Sequence, residues 1–104
     1  MRRPAVLTLQ QAVRAHPTLA EVAERAWASA RLLRRVAEHL PPMLRAQVQA
    51  GPLQDDQWWL LAANPSVAAK VRQLAPVLLA AARSAGASQL QAVRVRVQEL
   101  PAHR

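Results

Sequence analysis

Few side chains in this sequence could carry out covalent chemistry, and their spacing does not favour catalysis or metal binding. The chain has no cysteine, and its three histidines lie far apart. Asp55 and Asp56 are adjacent in a polar stretch, which is typical of a turn far more often than of a catalytic pair. A glycine-rich phosphate loop is absent, because Gly51 and Gly86 are the only glycines. We therefore expect a binding protein rather than an enzyme, with no cofactor, metal or small-molecule substrate.

Positive charge is the strongest chemical signal of the sequence. The formal net charge is +8, and arginine provides all but one of the 14 basic residues. Such an excess favours polyanionic partners, namely nucleic acid, anionic lipid or an acidic protein surface. In the alternative interpretation the charge only keeps the chain soluble, since net charge governs association rather than fold. The positions of the arginines must distinguish between the two.

The segment 90–98 contains the clearest candidate for a binding surface. Valine alternates with arginine there, which predicts a strand with one buried face and one face that presents Arg94 and Arg96 to solvent. Another predicted strand contains Trp58 and Trp59, which point to opposite faces, and the sequence does not decide which of them is buried. If Trp59 faces outward beside these arginines, it could stack on unpaired bases or anchor a protein partner. A core role for both tryptophans is the simpler alternative, because the chain has no Phe or Tyr.

Two other basic groups lie on predicted helices. A solvated helix face explains such groups more often than a binding site does, but each group could contact phosphates. One lies in a long helix and the other near the start of a later helix. Together with the strand residues, the candidate nucleic-acid-binding residues are Arg94, Arg96, Trp59, Lys70, Arg72, Arg31, Arg34 and Arg35.

Two capping boxes predict the helices of the first part of the chain. The first predicts a short helix over 8–15, and the second, formed by Thr18 and Glu21, opens a longer helix over 18–40. The apolar stripe of the longer helix, which we expect to face the core, contains Leu19, Val22, Ala23, Ala26, Ala30, Leu33, Ala37 and Leu40. A one-turn helix over 42–47 follows.

A hairpin is predicted over 48–63, around a polar turn at 54–57. Gly51 and Pro52 weaken its first strand, which is typical of an edge strand or a bulge.

The helix that follows the hairpin begins at the capping residue Asn64 and ends at Gly86. Its apolar face contains Val67, Val71, Leu74 and Leu78. Pro76 interrupts the hydrogen-bond pattern inside this helix, so we expect a kink there rather than a new helix.

The order of these elements predicts an α+β fold in which helices cover one face of a three-stranded sheet. The chain divides into an N-terminal arm with a short helix, 1–17, and a single domain, 18–104. No apolar run approaches the ~20 residues of a membrane-spanning helix, and the N-terminus lacks the pattern of a signal peptide. We expect a cytoplasmic protein that does not bind membranes.

Several motifs, in this order and spacing, resemble the DciA-type replicative-helicase loader family of bacteria, long catalogued as a domain of unknown function. The resemblance extends from about residue 18 to about residue 97. No single motif is diagnostic, and the motifs that carry it are His39-Leu40-Pro41-Pro42-Met43-Leu44, Gly51-Pro52-Leu53, Trp58-Trp59-Leu60-Leu61-Ala62 and Asn64-Pro65-Ser66-Val67-Ala68-Ala69-Lys70-Val71-Arg72-Gln73-Leu74.

The resemblance implies a KH-like α-β-β-α-β domain that contacts the DnaB-type replicative helicase, binds single- or double-stranded DNA and helps to load the helicase. Many relatives have an aromatic residue in place of Val67, and relatives commonly extend into a basic tail, whereas this chain ends at Arg104. The GxxG loop of nucleic-acid-binding KH domains is absent, so binding must use another surface. Two alternatives are an RNA- or ribosome-associated KH-like protein and a protein-interaction module that does not bind nucleic acid.

Overall fold

The computed structural model of the chain describes residues 18–98. A 3₁₀ turn, Ala37–His39, follows the first helix. The helices and strands are α1 (Leu19–Val36), the one-turn helix α2 (Pro42–Arg45), β1 (Val48–Gln54), β2 (Gln57–Ala62), α3 (Pro65–Ser84) and β3 (Ala92–Val97). The predicted α-β-β-α-β order is confirmed, whereas the arm and the short helix predicted within 1–17 lie outside the described residues.

The three strands form one mixed sheet in the order β1-β2-β3. β1 and β2 are the antiparallel arms of a hairpin that turns at Asp55 and Asp56, and Asp55 has a φ of 54°. Aspartate tolerates this left-handed conformation better than most residues do. β2 and β3 pair in parallel, which requires a crossover connection, and α3 provides it. α1 packs against β1 and α3 against β3, so the predicted α+β architecture is confirmed.

Both predicted helix starts have the capping bonds that the sequence indicated. The backbone N–H of Glu21 donates to the Thr18 hydroxyl, and the Glu21 carboxylate accepts from the backbone N–H of Thr18. At α3, the Asn64 side chain accepts from the backbone N–H of Val67. α3 continues through Pro76 without stopping and restarting, and Gly86 follows it with a φ of +122°, which favours glycine.

The apolar stripe predicted for the first helix is only partly correct: Leu40 is buried and Leu33 packs against the core, but the buried side of α1 is rotated from the rest of the stripe. α1 instead buries Ser29, Leu32 and Val36, whereas Leu19 and Val22 are exposed. The predicted stripe contained only apolar residues and therefore did not include Ser29, whose side chain is polar. In the folded domain that serine lies at the centre of the buried face, since two hydrogen bonds satisfy its hydroxyl.

A buried hydrogen-bonded chain joins α1 to both strands of the hairpin. The indole N–H of Trp58 donates to the Ser29 hydroxyl over 2.8 Å, and that hydroxyl donates to the carbonyl of Gly51 over 2.7 Å. The register between β1 and β2 shifts between Ala50 and Leu53, which confirms the predicted bulge in an edge strand. A Cβ on Gly51 would lie only 2.9 Å from a backbone oxygen of β2, so this position requires glycine.

Candidate nucleic-acid interface

The pairing of β2 with β3 decides which tryptophan is available. Trp58 lies opposite Val93 and is fully buried, whereas Trp59 lies opposite Arg94 and points to the other face of the sheet. Trp59 is half-buried there, and Arg94 and Arg96 are exposed. The three candidate residues of the strands therefore share one surface. We call this surface the open face, and its side chains are those of Gln49, Gln54, Gln57, Trp59, Leu61, Ala92, Arg94 and Arg96.

A cation–π contact joins two residues of the open face. The guanidinium carbon of Arg96 lies over the Trp59 ring, 5.0 Å from its centroid. Arg96 pairs across the strands with Leu61, so it reaches Trp59 diagonally, as long side chains on neighbouring strands can. A contact of this kind contributes about 0.5–1 kcal/mol at an exposed site.

The charge of the open face is of one sign. None of the three strands contains an acidic residue. Among residues 18–98 the one ion pair joins His39 to Glu38, so no arginine in this range is paired with a carboxylate of the same range. A surface on which cationic side chains lie without acidic neighbours on the same strands attracts polyanions, and phosphates are the ligands that it suits best.

Arg72 lies at the margin of the open face rather than on it. Its guanidinium donates to the carbonyl of Val95 over 3.4 Å, which links α3 to the edge strand β3. Lys70 precedes it by two positions and therefore lies about 160° away around the helix axis. The structure thus separates these two candidate residues, and only Arg72 lies beside Arg94 and Arg96.

The other basic candidates lie on α1, which belongs to the layer that covers the inner face of the sheet. Arg31 and Arg34 are exposed, and Arg35 donates to the carbonyl of Ala85 beyond α3. These three residues are therefore remote from the open face. Their assignment to nucleic-acid binding stays a prediction, and they do not form one site with Trp59.

Trp27 is a candidate that the sequence argument did not include among the site residues. It lies on α1 between Glu24 and Arg31 and is 70% exposed, the largest exposed aromatic side chain of the described residues. Trp27 is two positions from Ser29, so the two side chains point to opposite sides of α1. Knowledge that Ser29 is buried would therefore have predicted that Trp27 is exposed. The polar character of Ser29 hid that signal.

Two further observations limit what the described part of the chain can be. Residues 18–98 contain no group of three side chains that could hold a metal ion. None of the helices in this range has the length and apolar character needed to cross a bilayer.

The fold and the open face define a small α+β domain of the KH-like kind, in which one side of the sheet is basic and lacks a covering helix among the described elements. A family model described as "Dna[CI] antecedent, DciA" matches residues 8–95, well over half of the chain. The chain therefore belongs to the DciA family, as the resemblance implied. The DciA family is known for adaptors of DNA replication that load the helicase, and not for enzymes. In general, the partner of the family is a DnaB-type helicase. No curated protein matches the chain.

Proposed function

We propose that this protein is a non-enzymatic adaptor of DNA replication that binds the DnaB-type helicase and DNA in the cytoplasm and assists helicase loading. Membership of the DciA family carries this proposal. The basic open face supports the nucleic-acid half of it, because that surface combines two exposed arginines with a tryptophan and has no acidic residue on its strands.

Single-stranded DNA is the form that the open face suits best. A flat sheet with an outward aromatic ring can accept an unstacked base, and arginines beside the ring can neutralise the neighbouring phosphates. The proposed contacts are Trp59, Arg94 and Arg96, with Arg72 at the margin. Because Arg96 already stacks on Trp59, a base would either stack on the outer side of the guanidinium group or displace it from the ring.

Capture of the helicase tests the proposal. The full chain would be immobilised and exposed to a bacterial lysate treated with nuclease, which removes nucleic acid that could bridge two basic proteins. We expect the DnaB-type helicase to be retained and identified by mass spectrometry. An arginine-rich peptide of the same net charge, +8, is the control for charge alone.

Each outcome of this experiment separates the alternatives. Retention of ribosomal particles instead of the helicase would overturn the proposal in favour of an RNA-associated KH-like protein. Retention of other proteins alone would indicate an interaction module outside replication. Equal retention of the helicase by the arginine-rich peptide would show that the capture reflects charge and not a specific contact.

A further inference from the structure

The outer side of α1 carries one large exposed apolar side chain, Trp27, that the core of the domain does not use. Trp27 is 70% exposed, whereas the other large exposed apolar residues of α1, Leu19 and Val22, lie about 80° and about 140° from it around the helix axis. Trp27 points directly away from the sheet, because it is two positions from the buried Ser29. A large exposed aromatic side chain with no role in the core is typical of a contact site.

Charges of opposite sign lie on either side of Trp27. Glu24 precedes it by three positions and Arg31 follows it by four, so both lie on the same flank of the outer side of α1, about one turn from the ring. Both side chains are exposed, and neither has an ion-pair partner within residues 18–98. The helix therefore presents an acidic group, a tryptophan and a basic group in one line.

This pattern is complementary to itself. Trp27 is the ninth of the 18 residues of α1, so a two-fold axis beside it brings a second copy of the helix alongside in the antiparallel direction. Glu24 of each copy then lies opposite Arg31 of the other, and the two Trp27 rings meet at the axis. Ala20 and Ala23 border the same line, and their small side chains allow close approach of the two helices.

We propose that the outer side of α1 is a dimer contact between two copies of this chain. A nucleic acid is a poorer fit to this surface than to the open face, because Glu24 would lie among its phosphates. Two helices of about 27 Å form a small interface, so the dimer is weak and depends on concentration. The open face lies on the opposite side of the domain, and both copies can therefore bind a strand while they are paired.

A charge exchange tests the proposal with the full chain. Glu24→Arg and Arg31→Glu would be studied separately and as an equimolar mixture by sedimentation velocity over a range of concentrations. We expect the unaltered protein to show a reversible monomer–dimer equilibrium. The dimer dissociation constant of each variant alone should rise by roughly tenfold or more, because two attractive pairs become repulsive. The mixture should recover the original association, because the mixed dimer contains two Glu–Arg pairs again.

Two tryptophan variants provide the matched comparison. Trp27→Ala should abolish dimerisation, and Trp59→Ala, on the open face, should leave it unchanged. Urea unfolding of each variant checks that the fold is retained. The proposal is overturned if the unaltered chain stays monomeric at every concentration, or if the mixture associates no better than its components. It is also overturned if Arg31→Glu weakens DNA binding without changing the mass in solution, since Arg31 would then contact phosphates.

Discussion

At the scale of single residues, Ser29 determines how the helical layer meets the hairpin. Its hydroxyl accepts from Trp58 and donates to Gly51, so one small side chain satisfies two buried polar groups of different strands. Ser29 is 1% exposed and is the one buried polar residue of the described part of the chain. A hydrophobic residue of similar size could fill the space but could not make either bond.

The removal of this hydroxyl is expected to be costly. Ser29→Ala should lower the free energy of unfolding by about 2–4 kcal/mol, because it leaves the Trp58 N–H and the Gly51 carbonyl without a partner. Urea unfolding would measure the change, and Ser84→Ala, at an exposed position of α3, is the matched control with an expected change within about 0.5 kcal/mol. Equal effects of the two substitutions would contradict the proposed role of the hydrogen-bonded chain.

At the scale of the elements, α3 has the phase that its sequence predicted and α1 does not. The predicted face of α3 places Val67, Val71 and Leu78 in the core, with Leu74 packed partly against it. A purely apolar stripe indicates the buried side of that helix directly. In α1, apolar residues also occupy exposed positions. The centre of the apolar stripe therefore differs from the centre of the side that packs against the sheet.

The loss of stability caused by an alanine substitution in α3 should depend on how deeply the replaced side chain is buried. Leu78→Ala should destabilise the domain by about 2–5 kcal/mol, since Leu78 is fully buried. Leu74→Ala should cost roughly half as much because its side chain is partly exposed, and Val77→Ala, at a position that is 47% exposed, should change stability by about 0.5 kcal/mol or less. Urea unfolding would rank the three variants. A larger loss at Val77 than at Leu78 would show that α3 packs on a different side.

At the scale of the whole molecule, the charges of the two sides of the domain differ. The strands carry arginine without any acidic residue, whereas α1 carries Glu21 and Glu24 as well as its arginines. A net charge of +8 attracts polyanions to the whole surface, but a uniform attraction does not define a site. The open face and α1 can be distinguished by the number of DNA phosphates that the arginines of each side neutralise on binding.

The salt dependence of single-stranded DNA binding should identify the binding side. Substitution of both Arg94 and Arg96 by alanine should flatten the log–log slope by about one unit or more, because each phosphate contact contributes about 0.7. Substitution of both Arg31 and Arg34 removes the same charge from the other side and should change the slope less. Trp59→Ala should weaken binding by about 1–3 kcal/mol with little change in slope, since stacking releases no counterions. Fluorescence anisotropy at several salt concentrations would measure all three.

The opposite ranking of the two arginine pairs would place the binding site on α1. Equal changes for both pairs would indicate diffuse attraction without a defined site. In either case the dimer contact proposed for α1 is tested separately, since sedimentation reports mass and not DNA binding.

Local signals in the sequence were sufficient to predict the order of the helices and strands within residues 18–98. The capping pairs at Thr18 and Asn64, the turn at Asp55 and the alternation of valine with arginine in β3 each involve neighbours within a few positions. The energies that favour these features act over the same short range, so the sequence alone predicts them. The resemblance to the DciA family rested on such segments, and the family match confirms it.

Only the tertiary structure decided which sides of these elements are buried. Trp58 and Trp59 are equivalent in sequence, and the register of β2 against β3 and the hydrogen bond to Ser29 place one inside and the other on the open face. The phase of α1 was hidden for the same reason, because the partners that make a buried serine favourable are 22 and 29 residues away. A polar side chain is stable in a core only when distant groups satisfy it, and folding alone brings those groups together.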